Sequence, residues 1–475
     1  MKFFIIIILF LNFLSSAYAQ TNSDLQAQIN SLDERLTDTE MKDLLHKINL
    51  GIDLKVMTAH FSSQDNSASG SPQKVNQTSH ALLFRLNMES SIAERVNVFA
   101  SLESFSFFND TFVSSLSNNI GSDGREYSKG TEKPRLIKAY FDWHLFPSHF
   151  TFSAGRLPTT QGPPAHMPDG VERTGTYPVL AYSVPLDGFA GTLNIHSFYD
   201  FFEKKKLIWR IIYKPGSATD HMFPWRGRLV GNENSPYQLS KSHSLLSSMI
   251  EYEHKELPSV WKNFLTILQF GHYNFGGMTP RNEVINLQSY GSGYWPAEIY
   301  ADNDEVLKVN SLVHYFEFDK VLTSNFDLYG SWARTWSKSK AHIWAQPLPS
   351  SVASNAGLSK IDLGPYIVNG EKSGWRYLAG LRYEFKNKFF IGGEWAKSTA
   401  DSLATTLWSD DVHTIAFING ESYHGYLTKI LYKNQFTIRT GYVHSQMNKD
   451  LQGALLYKDS NEKIEVIYLN FLIHI

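Results

Sequence analysis

The sequence predicts an all-β fold: a transmembrane antiparallel β-barrel of about 16 strands preceded by a short N-terminal helix. Three observations carry that prediction. Apolar and polar residues alternate with a period of two through many short stretches, so each strand has one apolar and one polar face. The stretches are joined alternately by tight turns and by long polar segments. Beyond the first 19 residues, no run is long and apolar enough for a membrane helix. A bilayer admits only helices and closed barrels, because no water is present to satisfy stray backbone groups. Strands with one apolar face and connections sorted by length meet that demand as a barrel.

The ends of the chain are read first. Lys2, the apolar run Phe3 to Leu14 and the small-x-small sequence Ala17-Tyr18-Ala19 form a secretory signal peptide over residues 1–19. In residues 20–46, Leu25, Ile29, Leu32 and Leu36 lie on one face of a helix, with Asp33, Glu34 and Arg35 among them. So short a helix is marginal alone. Held beneath neighbouring barrels it would meet its copies at high effective concentration. The expectations are therefore a periplasmic coiled coil joining a homotrimer, or a helix packed under its own barrel. Residues 47–475 are assigned to the outer-membrane β-barrel. With Cys 0, the chain is no lipid-anchored lipoprotein, disulfide scaffold or thiolate metal site. A net charge of -2 argues against nucleic acid as a partner.

The first strand sets Ile48, Leu50, Ile52, Leu54 and Val56 against Asn49, Gly51, Asp53 and Lys55. The second opposes Leu82, Phe84, Leu86 and Met88 to Leu83, Arg85, Asn87 and Glu89, and the third Val96, Val98, Ala100 and Leu102 to Asn97, Phe99, Ser101 and Glu103. In the fourth, Ile137, Ala139, Phe141, Trp143 and Leu145 oppose Lys138, Tyr140, Asp142 and His144; Phe150, Phe152 and Ala154 mark the fifth. Further strands are expected over 187–198, 205–213, 244–254, 263–273, 306–317, 324–334, 375–385, 388–397, 422–432 and 436–445. The last sets Ile467, Leu469, Phe471, Ile473 and Ile475 on one face. It resembles the C-terminal signal recognised by the bacterial barrel-assembly machinery, although such signals usually end in Phe or Trp.

Short turns are expected at Ser90 to Arg95, Phe146 to His149, Lys386-Asn387 and Lys433 to Gln435. Long loops are expected at 57–81, 105–134, 158–186, 214–243, 274–305, 335–374, 398–421 and 446–461. In outer-membrane barrels the short turns face the periplasm and the long loops face outward.

The third long loop is the most informative. From Arg156-Leu157-Pro158-Thr159-Thr160 it runs through Gln161-Gly162-Pro163-Pro164-Ala165-His166-Met167-Pro168-Asp169-Gly170 to Val171-Glu172-Arg173. Its prolines restrict φ and remove backbone donors, so it is stiff without being a strand. Charges in a narrow low-dielectric tube set ion preference. His166, Asp169, Glu172 and Arg173 are the candidate constriction residues. Arg85, Lys138, Arg382 and Arg439, on the polar faces of their strands, are the candidate pore wall. The alternative is that the loop carboxylates merely pair with arginines and pin the loop.

The stretch from Ala139 through Arg156-Leu157-Pro158-Thr159-Thr160 to Gly162-Pro163-Pro164 is similar to an uncharacterised proteobacterial family of porin-like outer-membrane proteins. That family carries a short coiled coil before its barrel. The resemblance implies a porin-like channel, and in general porins the third loop folds inward and narrows the pore.

Other chemistry is weaker. No G-x-S-x-G turn accompanies the serines and histidines, so no catalytic residue is assigned and the chain is not expected to be an enzyme. No phosphate-cradling loop and no cofactor are expected. Asp302-Asn303-Asp304-Glu305 lacks the spacing of a calcium loop and reads as solvated. Trp336, Trp344, Tyr366 and Trp375 read as loop packing and girdle residues rather than a sugar platform. The expected function is passive diffusion of small hydrophilic solutes or ions across the bacterial outer membrane, with its lipid and lipopolysaccharide as surroundings. The alternatives are a channel selective for anions or small organic acids, and a non-conducting structural or adhesive barrel.

Overall fold

The computed structural model describes residues 48–65, 73–107, 134–181, 183, 186–199, 205–215, 244–255, 262–276, 283–286, 294–301, 305–321, 325–339, 341–345, 370–399, 402, 415, 419–432, 435–451 and 457–475. The expected signal peptide and helix lie outside these residues, as do most of the long loops.

The strands are β1 Ile48–Asp65, β2 Gln73–Ala93, β3 Val96–Phe107, β4 Arg135–Phe146, β5 Phe150–Leu157, β6 Leu186–Asn194, β7 Lys205–Lys214, β8 Ser244–Lys255, β9 Asn263–Gly276, β10 Glu283–Asn286, β11 Tyr294–Ala301, β12 Glu305–Val321, β13 Phe326–Ser339, β14 Ala341–Ala345, β15 Gly370–Phe385, β16 Phe389–Ser398, β17 Asn419–Leu431, β18 Phe436–Leu451 and β19 Tyr457–His474. Sixteen of them close into an antiparallel barrel in chain order. The other three, β10, β11 and β14, form a separate sheet.

The ring closes between β1 and β19, in register from Asp53 opposite His474 to Asp65 opposite Glu462. Ile52 and Ile475 exchange backbone hydrogen bonds of 2.8 and 2.9 Å. Side chains reinforce the seam: the ring of His474 pairs with Asp53. The Asn87 amide donates to Asp53 at 2.9 Å, and Ser101 donates to Asn87 at 2.6 Å.

The outer face follows the alternation. Leu50, Phe84, Leu268, Phe270, Leu328, Leu381 and Ile467 are all exposed on it. Transfer of such side chains from water to lipid contributes about 1.5–3 kcal/mol each, and the closed ring leaves no unpaired edge within the bilayer. One expected outward residue is turned in. A register irregularity opposite Ser101 and Leu102 puts Ile137 inside, 1% exposed, and gives the outer face to Leu136.

The strands also run further than the alternation suggested. Within the expected loop 57–81, residues 57–65 and 73–81 are strand, and within 446–461, residues 446–451 and 457–461 are strand. Segments expected to be loop in 274–305 and 335–374 include β10, β11 and β14. The physical reason is an inversion of polarity along the strand. Below Val56 the outward residues are apolar. Above it the outward residues are Thr58 and His60, hydrogen-bonded to His80 and Thr78 across the strand at 3.1 and 3.0 Å. The inward residues there are Met57 and Ala59, both fully buried: Met57 packs with Ala81 and Leu83, and Ala59 joins the main buried cluster. Outside the hydrocarbon layer the strand faces water externally and packed side chains internally, so its pattern keeps its period and changes its phase.

Candidate functional site: the inward loop and the barrel wall

The loop of 28 residues between Leu157 and Leu186 turns into the barrel. Its two limbs run side by side: Gly175 N–H donates to Gln161 at 3.1 Å and Val179 N–H to Pro163 at 2.9 Å. Gly162 makes this approach possible, since a β-carbon there would lie 1.5 Å from the Tyr177 carbonyl oxygen. Burial pushes the Tyr177 phenol well above its ordinary pKa. At the tip, His166–Asp169 form a one-turn helix, α1, closed by Gly170 at φ +66°.

The tip reaches the far wall. Asp169 bonds to Arg439 of β18 at 2.8 Å and to Lys55 of β1 at 3.5 Å. Arg382 of β15 donates to the Met167 carbonyl at 2.9 Å, and Thr428 of β17 donates to the Pro168 carbonyl at 2.6 Å. On the same tip helix, His166 lies 3.4 Å from Glu317 of β12. Arg173 and Arg210 of β7 meet on Glu251 of β8, at 2.7 and 2.5 Å. Burial works against the Arg173 charge, but Glu251 more than offsets it and holds the guanidinium above its ordinary pKa. The Tyr273 hydroxyl of β9 donates to the Ala181 carbonyl at 3.0 Å. These partners come from strands all round the ring, which places the loop across the lumen.

Apolar packing completes the seat. Met167, Tyr177, Val179, Leu180 and Ala181 of the loop join one buried cluster with Leu245, Met249, Ile267, Val309, Val313 and Tyr315 of the wall. The lumen at this level is packed like a protein interior.

The candidate residues fall as follows. Asp169 and His166 of the tip helix and Arg173 beyond it each engage the wall, while Glu172 is exposed. Arg439 and Arg382 meet the loop directly, and Arg382 also bonds to Asp327 at 2.8 Å. Arg85, opposite Asp53 across β1 and β2, pairs with Glu103 of β3 at 2.5 Å, both side chains buried. Lys138 lies on the inward series of β4 opposite Ser101. The oppositely charged groups thus sit in contact as ion pairs, the arrangement expected if the loop is pinned.

Lys55, Glu251, Glu317 and Asp327 were missed as site residues. Lys55 was legible in principle, since it stands on the polar face of the first expected strand. Glu251 sits in a stretch whose alternation is poor. A further group beside the tip was also missed. The Tyr329 hydroxyl donates to Glu394 at 2.9 Å and lies 3.2 Å from that of Tyr426. His424 joins Glu394 at 2.6 Å to the Tyr468 hydroxyl at 2.6 Å. Single tyrosines and histidines on separate strands carry no sequence signal that they will meet.

The fold and the loop-crossed lumen define the class: a 16-stranded transmembrane β-barrel with an inward third loop. A family model described as "Protein of unknown function (DUF3373)" matches residues 73–204, from β2 through the inward loop and β6. No curated protein matches the sequence. Among solved structures, the chain is similar to Salmonella typhi OmpF in complex with daunomycin, at 10% identity and a TM-score of 0.42, covering 89% of this chain and 97% of that one. It is likewise similar to Pseudomonas putida OprB in a high-pH structure, at 9% identity and a TM-score of 0.48, covering 91% of this chain and 96% of that one.

Proposed function

We propose that the protein is a bacterial outer-membrane channel in which small hydrophilic solutes or ions pass a fixed constriction made by the third loop. The observation that carries the reading is the loop itself, folded into a closed barrel and bonded to wall residues of β1, β8, β12, β15, β17 and β18. A loop held this firmly narrows the passage without a moving part. On this reading the short turns face the periplasm, outer-membrane lipid and lipopolysaccharide surround the belt, and the barrel-assembly machinery inserts the chain. The N-terminal helix joins a homotrimer, and the protein performs no catalysis.

A finer reading, anion preference, has its own support. Two cations, Arg439 and Lys55, converge on the single carboxylate of Asp169. Two more, Arg173 and Arg210, converge on that of Glu251. Cations paired on one carboxylate at the narrow level, where screening is weakest, favour anions at the Asp169 cluster, while Glu317 and Asp142 temper the second.

The test is conductance of the purified, folded barrel in a planar bilayer under a potassium chloride gradient. Discrete steps with a reversal potential of anion-selective sign are expected. Steps of cation-selective sign would remove the finer reading. Silence from folded barrels would overturn the channel and favour a non-conducting structural barrel, consistent with the densely packed lumen.

A further inference from the structure

The outer surface carries a feature that neither the passage of solute nor the apolar belt uses. On β13 the outward series runs Phe326, Leu328, Gly330, Trp332, Arg334, Trp336 and Lys338, while Tyr329, Ser331, Ala333 and Thr335 on the other series are buried inside. Arg334 therefore points to the lipid side. Eight residues above Phe326, it lies about 26 Å along the strand at ~3.3 Å per residue. With a tilt of roughly 40°, that is about 20 Å of height, near the top of a belt ~25 Å tall. This is the level of lipid headgroups.

Its setting is built. The guanidinium carbon lies 4.7 Å from the centroid of the Trp336 ring and 5.0 Å from that of Trp375 on β15, directly across the strand pair. Two indoles so placed fix the plane of the guanidinium and strip water from its faces, leaving its N–H edge for an acceptor. Among the described residues no carboxylate pairs with Arg334; its Nε is buried without a hydrogen-bond partner, so the terminal nitrogens are the ones that can meet a ligand. Some aromatic residues of the outer face bond within the protein: Trp395 and Tyr423 both donate to Glu421, and Tyr442 to Glu465. Two same-face steps above Arg334, about 13 Å along the strand at ~3.3 Å per residue, the register sets Lys308 directly opposite Lys338, with Glu371 beside Lys338 at 2.7 Å. Lys308 of β12, Lys338 of β13 and Glu371 of β15 thus lie on the outer face above Arg334.

We propose that Arg334, clamped by Trp336 and Trp375 and with Lys308 and Lys338 above it on the same face, is a binding site for the phosphate of an outer-leaflet glycolipid. A planar guanidinium forms paired charge-assisted bonds to phosphate oxygens, and basic surface clusters at a membrane boundary recognise anionic headgroups. The inference rests on the outer-membrane reading for which leaflet meets this surface.

Folded full-length protein in detergent is titrated with diphosphoryl lipid A, with the same lipid after dephosphorylation, and with inorganic phosphate, and bound species are counted by native mass spectrometry. The expected result is retention of diphosphoryl lipid A, weakened about tenfold by dephosphorylation and by Arg334→Gln, with little binding of free phosphate. Arg334→Lys, which keeps the charge and loses the fork, should weaken it less. If Arg334→Gln does not yield folded barrel, the Lys308→Gln, Lys338→Gln pair gives the same readout. Equal retention by wild type and variants overturns the site, as does retention insensitive to phosphate. Loss of oligomer in Arg334→Gln with lipid binding intact also overturns it, since the patch is then a contact between copies of the chain. Bilayer conductance, recorded on the same variants, should be unchanged. Conductance and lipid retention can therefore fail separately, and each failure identifies which reading is wrong.

Discussion

The ion pair at the loop tip is the sharpest point at which the channel reading can be tested. In Asp169→Asn the carboxylate that holds Arg439 and Lys55 is removed while its shape is kept. Both cations are deeply buried, with side chains 2% and 3% exposed, so solvent screens them little. Breaking a buried pair and leaving the partner charged costs about 3–5 kcal/mol. The asparagine oxygen still accepts a hydrogen bond, so the lower end applies, about 3 kcal/mol. At ~1.4 kcal/mol per factor of ten, the loop tip should leave its seat roughly a hundredfold more often. The bonds from Arg382 and Thr428 to the loop carbonyls remain and keep the seated state dominant. Single-channel recordings should show larger conductance with added flicker. Removing one negative charge beside two positive ones should also move the reversal potential toward stronger anion preference. Combining Asp169→Asn with Arg439→Gln should cost less than the sum of the two changes, because they share one interaction. If folded Asp169→Asn barrels match wild type in conductance, noise and reversal potential, the tip does not line the path and the constriction argument fails.

Three further changes separate the wall from the loop. Glu103→Gln leaves Arg85 buried without its carboxylate, and should lower barrel stability by about 3 kcal/mol, read as a lower urea midpoint in a gel-mobility assay. Glu251→Gln removes the carboxylate on which Arg173 and Arg210 both bond; the base of the loop should loosen and anion preference should rise in the bilayer. Gly162→Ala drives a β-carbon into the Tyr177 carbonyl and must separate the two limbs of the loop. The barrel should still assemble, with heat-modifiable mobility intact, while conductance departs from wild type.

Much of the barrel could be read before any coordinates. Period-two alternation marks Ile48 to Val56 and Ile467 to Ile475 because one face of each meets lipid along that length. The strands' upper ends escaped because the same period continues in the opposite phase. Thr58 and His60 take the outer face while Met57 and Ala59 go inside, which looks like a loop to any argument that expects an apolar exterior throughout. The loop residues were legible as charges in a stiff segment after β5. Their partners were not, since Asp169 and Arg439 are separated by 270 residues and only barrel closure brings them together. Arg334 escaped for a third reason. Arg334 stands at the end of the expected strand 324–334 and Trp375 at the start of the expected strand 375–385, and only the register sets them opposite each other.

The reach of the loop has a consequence for how the molecule is made. Its tip sits on β1 at one side of the seam and on β17 and β18 at the other, and the two sides become neighbours only when β19 arrives. Until then the segment around Asp169 has a home without its far wall. Seating of the loop is therefore a late event, slowed by the long sequence separation it must span. A nascent barrel that stalls before its last hairpin would carry this segment unseated. Protease sensitivity near residue 169 would then distinguish a finished barrel from an unfinished one, without any measurement of transport.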